Sequence, residues 1–168
     1  MVERKCVVEN LRISYNGIFE IDEFYKLVDD WMLEKNRQKE IKKKLEHVEA
    51  DGKSMEWFIE CWRFDADYAK TNVILRALFK DVKEVTLDKA GYKKKYQKGD
   101  ALILINGYVE TLYEGKLTQS PVFTFFRTLW DKYIHKGWSE KYDAPARNDA
   151  IDLSKRINQF FKGYRYVR

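Results

Sequence analysis

Between Ile41 and Tyr113 the chain repeats one pattern. Short runs of residues alternate in type, and each run is bounded by residues that turn tightly. Alternation with period two marks a half-buried strand. In Ser54–Phe64 one set is Trp57, Ile59 and Cys61, and the other is Phe58, Trp62 and Phe64 with Glu56 and Glu60. Ahead of it, Asp51-Gly52 suits a tight hairpin whose central positions need positive φ, so Ile41–Glu49 is predicted to pair antiparallel with Ser54–Phe64. Asn72–Lys80 alternates Val73, Leu75, Ala77 and Phe79 with Ile74, Arg76, Leu78 and Lys80, and Val85 and Leu87 continue the pattern. A straight strand over this whole run would span roughly 50 Å, whereas a globule of this length is about 40 Å across. The run is therefore expected to break near Asp81 at a bend, bulge or tight turn.

Asp88-Lys89-Ala90-Gly91 and Lys98-Gly99-Asp100 read as two further hairpin turns. Between them Tyr92–Gln97 carries Lys93, Lys94 and Lys95, which suit an exposed edge strand. Ala101–Tyr113 contains Leu102-Ile103-Leu104-Ile105, apolar on both faces, and is predicted to be the most buried strand; Gly107 within it marks a bulge or bend. Upstream, Lys5–Tyr15 reads as the first strand, ended by Asn16-Gly17. Asp22 is then expected to cap a helix over Glu23–Lys35, whose Phe24, Leu27, Val28 and Trp31 form one apolar stripe. Downstream, Ser120-Pro121 opens a second amphipathic helix, stopped at Gly137, and a third runs from Pro145 to Lys162. The fold class is α+β: a curved antiparallel sheet of six to seven strands, packed against a long amphipathic C-terminal helix, with one helix after the first strand. The 168 residues, with no linker or repeat, are expected to form a single domain over residues 1–168.

Several function classes are excluded or weakened by what the chain lacks. No apolar run approaches the about 20 residues of a membrane span, and the first residues have no signal-peptide core, so a cytoplasmic protein is expected. Cys6 and Cys61 are expected to be small buried residues rather than a disulfide. Asp65 and Asp67 are too few for a calcium loop, and no His or Cys beside them completes a zinc site. No phosphate loop, nucleophile elbow or Cys/His pair is present, and neither His47 nor His135 has a catalytic neighbour in sequence, so no catalytic residue, cofactor or metal is expected. The 35% of charged residues, with few Cys and Met, resembles the composition of proteins from hot environments.

The order of elements resembles the helix-grip fold of START-type lipid-transfer domains and plant pollen-allergen proteins. The resemblance is one of topology over most of the chain and carries no motif. It implies a cavity between sheet and terminal helix that admits an apolar or amphipathic small molecule. On this reading the mixed strand faces supply the lining, and Phe58, Glu60, Trp62, Arg76, Tyr108 and Glu110 are the candidate ligand-binding residues. An alternative is single-stranded nucleic acid, RNA above all, held by basic residues interleaved with aromatics: Lys42, Lys43 and Lys44 in the basic run Lys35–Lys44, and Tyr92, Lys93, Lys95 and Tyr96. The net charge of +5 permits this without demanding it. A third reading is structural, an exposed aromatic patch serving as a homodimer face.

Overall fold

Strand β1 (Val2–Phe19) leads into helix α1 (Ile21–Glu34). Four strands follow: β2 (Gln38–Glu49), β3 (Gly52–Ala66), β4 (Ala69–Lys89) and β5 (Tyr92–Leu112). Helix α2 (Lys136–Tyr164) comes last. The computed structural model describes residues 2–50, 52–89, 91–112 and 136–166. The helix expected to open at Ser120 and to stop at Gly137 lies almost wholly outside the described residues. The strands form one antiparallel sheet in the order β1-β5-β4-β3-β2, and α2 packs on β1, β5 and β4 and against α1. The fold is α+β, with a five-stranded sheet and a C-terminal helix packed on it.

The sheet has five strands rather than six or seven because two expected breaks do not interrupt pairing. β4 runs unbroken for 21 residues and absorbs the bend at Asp81 as a bulge. Asp81 adopts the left-handed conformation there (φ 53°), and the register shifts between Lys80 and Lys83. β5 likewise runs through Lys98-Gly99-Asp100 without turning. Gly99 serves a different purpose: a Cβ at this position would lie 2.7 Å from the Lys80 carbonyl oxygen and 3.1 Å from Val82 Cα. The bulged backbone of β4 crosses too close for any side chain. Asn16-Gly17 also fails to end its strand. Gly17 (φ 154°) continues β1 beneath the Tyr15 ring, whose hydroxyl donates to the Ile18 carbonyl. Gly107 does sit at an irregularity, since its partner Val8 is flanked by register shifts in β1.

α1 buries the predicted stripe, with Phe24, Val28, Trp31 and Met32 inside. Its N-cap is Glu20 rather than Asp22, and makes no side-chain capping bond; Gln97 Oε1 accepts from the Ile21 amide instead. At its other end Asn36 is left-handed (φ 51°), with Asn36 N–H donating to Leu33 and Arg37 N–H to Met32. That paired arrangement closes the last turn of the helix. α2 begins at Lys136, ahead of Pro145, which lies inside it rather than opening it. On the helix-facing side of the sheet the rings interlock. Phe24 meets Trp57, Phe79, Phe160 and Phe161 at centroid separations of 5.6 to 6.1 Å, and Tyr15 stacks on Phe161 at 4.7 Å. Each buried ring of this size contributes roughly 1.5–3 kcal/mol.

The helix stop aims Arg37 into the interior, not toward solvent as its place in the basic run suggested. Its side chain is wholly buried. Nη1 donates to the carbonyls of Cys61 and Thr71, both at 3.2 Å. Nη2 donates to Thr71 Oγ1 at 3.3 Å and to Asp149 Oδ2 of α2 at 2.6 Å. Lys35 and Arg63 stand at 3.6 and 3.8 Å from the same carboxylate. Beside this network Arg156 grips Glu34 with two bonds, and Trp31 Nε1 donates to Asp152, so α2 is tied to α1 as well.

Both the buried ion pair and the close approach at Gly99 can be tested by mutation. Asp149→Ala strands the Arg37 charge and lowers stability by about 3–5 kcal/mol in urea melts, whereas the joint change Arg37→Met with Asp149→Leu restores most of that loss. Gly99→Ala forces the β4 bulge aside and costs about 1–3 kcal/mol by the same measurement.

Candidate functional site

A sheet has two faces, and here the helices take one. Trp57, Ile59 and Cys61 on β3, Val73, Leu75, Ala77 and Phe79 on β4, and Ala101, Ile103 and Ile105 on β5 form the helix-facing side, and all are buried. Their sequence neighbours point to the outer face. All six candidate ligand residues fall there: Phe58, Glu60, Trp62, Arg76, Tyr108 and Glu110. The structure brings them together on one surface but not between sheet and helix. Mixed polar and apolar composition marks a face that meets water on one side, and that is where register places them.

Pairing sets these side chains in rows across the sheet. Trp62, Asn72 and Tyr108 form one row, with Asn72 wholly buried in the middle. Asn72 Nδ2 donates to Glu60 at 3.3 Å. The next row is Phe64, Lys70, Glu110 and Arg4. Glu110 receives Arg4 at 3.4 Å and Lys70 at 3.3 Å. Lys70 also lies 4.9 Å over the Trp62 ring, and Arg4 lies 4.0 Å over Tyr108. Further along, Phe58 is beside Arg76, which donates twice to Glu56, while Lys43 takes the other oxygen of Glu56 at 2.7 Å. Three of the candidate residues' charges, those of Arg76, Glu110 and Glu60, are thus already engaged with the protein's own groups.

Past these rows the outer face opens into a cleft of about 460 Å³. β5 forms its floor with Leu102 and Asp100, and β1 and β4 form its sides with Arg12, Ser14, Asn16, Leu78 and Lys80. Asn16 Nδ2 donates to Asp100 Oδ1, which occupies that carboxylate. Arg12 and Lys80 are exposed and have no carboxylate partner among the described residues. None of the cleft residues stands out in sequence. Leu78 and Lys80 share the alternation of Arg76, but only pairing sets them beside Leu102, Ser14 and Arg12.

The basic and aromatic residues read as a nucleic-acid surface divide into two groups. Lys43 reaches Leu104 of β5 through Phe58 and Arg76, while Lys93 lies eleven residues farther along β5, roughly 37 Å at 3.4 Å per residue. Lys42 pairs with Glu40 at 2.6 Å, Lys43 with Glu56, and Lys44 lies over the Tyr25 ring at 5.2 Å. Tyr96 is half-buried against Tyr164, whereas Tyr92, Lys93 and Lys95 are exposed.

Other groups with reactive chemistry serve structure. Burial pushes the Cys61 thiol up to about 12, which keeps it protonated at neutral pH. Cys6 is exposed, not buried as expected, and both thiols are free. Asp65 accepts from Arg63 Nε at 2.8 Å and from Thr71 Oγ1 at 2.6 Å. Among the described residues no group of three or more His, Cys, Asp or Glu is placed to hold a metal, and no helix is long and apolar enough to cross a membrane.

The hydrogen bond from Lys43, with Arg76 beside it, holds the Glu56 carboxyl below its ordinary 4.5. A depressed carboxyl contributes stability that is present above its unfolded value and is lost as pH falls through the folded one. The melting temperatures of the protein and of Glu56→Gln therefore differ by a constant amount above about pH 5, and the difference shrinks toward zero below 4.5.

Compared with protein-family models and with curated proteins, the chain matches none.

Proposed function

We propose that this protein binds a small amphipathic anion on the outer face of its sheet. The observation that carries the reading is the cleft over β5: about 460 Å³, within the range typical of ligand pockets. Its apolar surface is Leu78 and Leu102, and its two cations, Arg12 and Lys80, make no ion pair among the described residues, although Asp100 stands opposite Lys80 in the sheet. A carboxylate or phosphate headgroup meets a cation of the cleft, and an acyl or aromatic body covers the leucines. Asp100 keeps its negative charge while Asn16 donates to one of its oxygens, so the headgroup belongs at the Arg12 end of the cleft, four residues along β5 from Asp100. The helix-grip fold that the order of elements resembles would imply a different location. In those proteins the ligand lies between sheet and terminal helix; here Phe24, Phe79, Phe160 and Phe161 fill that space where they meet.

Titration calorimetry with decanoate, decanol and decyltrimethylammonium tests the reading. Decanoate binds, decanol binds more weakly, and the cation does not bind. Arg12→Gln with Lys80→Gln weakens decanoate about tenfold, since two exposed ion pairs at up to about 1 kcal/mol each approach or exceed the 1.4 kcal/mol that a tenfold change requires. Equal affinity for all three probes, or an unaltered double variant, overturns it.

A further inference from the structure

Beyond the cleft the last third of the sheet narrows to two strands. β3 makes its final pair with β4 at Val82, and β1 makes its final pair with β5 at Gln97. From there outward β4 and β5 pair only with each other, up to Lys89 and Tyr92. The result is a two-stranded ribbon of about five residues per strand, Val85 to Lys89 with Tyr92 to Tyr96, roughly 17 Å long. The ribbon and the two residue pairs at its base, residues 83–98, hold Lys83, Lys89, Lys93, Lys94, Lys95 and Lys98 against Glu84 and Asp88, a net +4 out of the chain's +5. Lys83, Lys93, Lys95 and Lys98 are exposed and have no ion-pair partner among the described residues; Lys94 alone is held, by Glu20 at 2.7 Å.

Lysines on open strands deter edge-to-edge aggregation, but that need does not account for this arrangement. The edge strand β2 meets the same need with both signs, and its Lys39, Lys42 and Lys43 each pair with an acid. The ribbon instead carries an excess of one sign: Asp88 opposite Lys93 and Glu20 on Lys94 offset only part of it, and the remaining lysines point to a polyanion. We propose that the β4–β5 ribbon binds duplex nucleic acid, with the ribbon in the major groove and its lysines on the flanking phosphates. The major groove admits a two-stranded β-ribbon. A single strand would call for a row of stacking rings, and here Tyr96 is engaged with Tyr164, which leaves Tyr92 as the one freely exposed ring of the ribbon. This inference is independent of the ligand cleft.

Fluorescence anisotropy with a mixed-sequence duplex and the matching single strand, at about 50 mM and about 200 mM salt, decides it. The intact protein binds the duplex with a Kd of about 10⁻⁴ to 10⁻⁶ M at the higher salt and more tightly at the lower. Lys83→Gln, Lys93→Gln and Lys95→Gln together weaken binding at least tenfold and reduce the log–log salt slope by about 3, near 0.9 for each phosphate no longer neutralised. Lys39→Gln, Lys42→Gln and Lys44→Gln remove the same net charge from β2 and leave both values unchanged. Circular dichroism melts of each variant confirm an intact fold, since all six side chains are exposed. The proposal is overturned if the two triple variants lose affinity equally, if the single strand binds as tightly as the duplex, if no duplex binding occurs at about 10⁻⁴ M protein, or if vesicles of anionic lipid bind the protein and the duplex does not.

Discussion

The buried guanidinium of Arg37 is the constraint on which this architecture depends. A charge removed from water needs most of its donors matched; here Nη1 and Nη2 are bonded, while Nε is buried without a hydrogen-bond partner. The matching groups come from three places distant in sequence: the Cys61 carbonyl on β3, Thr71 on β4 and Asp149 on α2. Meeting that demand brings the end of α1, two central strands and the C-terminal helix to one point. It also determines which side of the sheet the helices occupy, because Arg37 enters from α1 and Asp149 answers from α2. An apolar residue at the site could fill the volume, but would not require α2 to lie in this register.

Placing both helices on one side decides where the chemistry can be. The helix-facing side is spent on interlocking rings, and the outer face carries the charges. Along much of that face they cancel locally: Glu56 between Lys43 and Arg76, Glu110 between Arg4 and Lys70. Such exposed pairs contribute little stability each, yet they keep a flat surface neutral and discourage unspecific contacts. Where cancellation fails is informative. It fails at Arg12 and Lys80 around the cleft, and again at Lys83, Lys93, Lys95 and Lys98 along the ribbon. The modest total charge hides this separation, since a balanced sheet and a basic ribbon sum to an unremarkable number.

Much of the fold was legible because alternation and turn chemistry are local. The pairing of Ile41–Glu49 with Ser54–Phe64, the stripe of α1 and the irregularity at Asp81 all follow from a few adjacent residues, whereas Gly52, read as part of a turn centre, pairs with Glu49 as the first residue of β3. Two kinds of error share one cause. Gly17 and Gly99 looked like turns, because glycine marks positive φ and close backbone approach alike, and only the neighbouring strand distinguishes them. The six candidate ligand residues, chosen on strands with mixed faces, lie on the outer face rather than toward the helices, because alternation separates two faces without saying which one a helix will cover. Arg37 was read as part of a solvated basic run, since nothing local announces that Asn36 will turn it inward. The cleft had no local signal at all; it exists only in the pairing of β1, β5 and β4.

The bulge at Asp81 is the joint between the balanced sheet and the basic ribbon. Lys80 and Asp100, on its near side, belong to the cleft, and Lys83 and Lys98, on its far side, form the base of the ribbon. A bulge bends a strand and increases its twist, so the direction of the ribbon is determined there. Ordinarily a two-stranded ribbon could swing about such a point. Here the backbone of β4 lies against Gly99 with no space for even a methyl group, so the joint is tightly packed rather than loose. The two unneutralised patches therefore lie on either side of one bulge and share no residue.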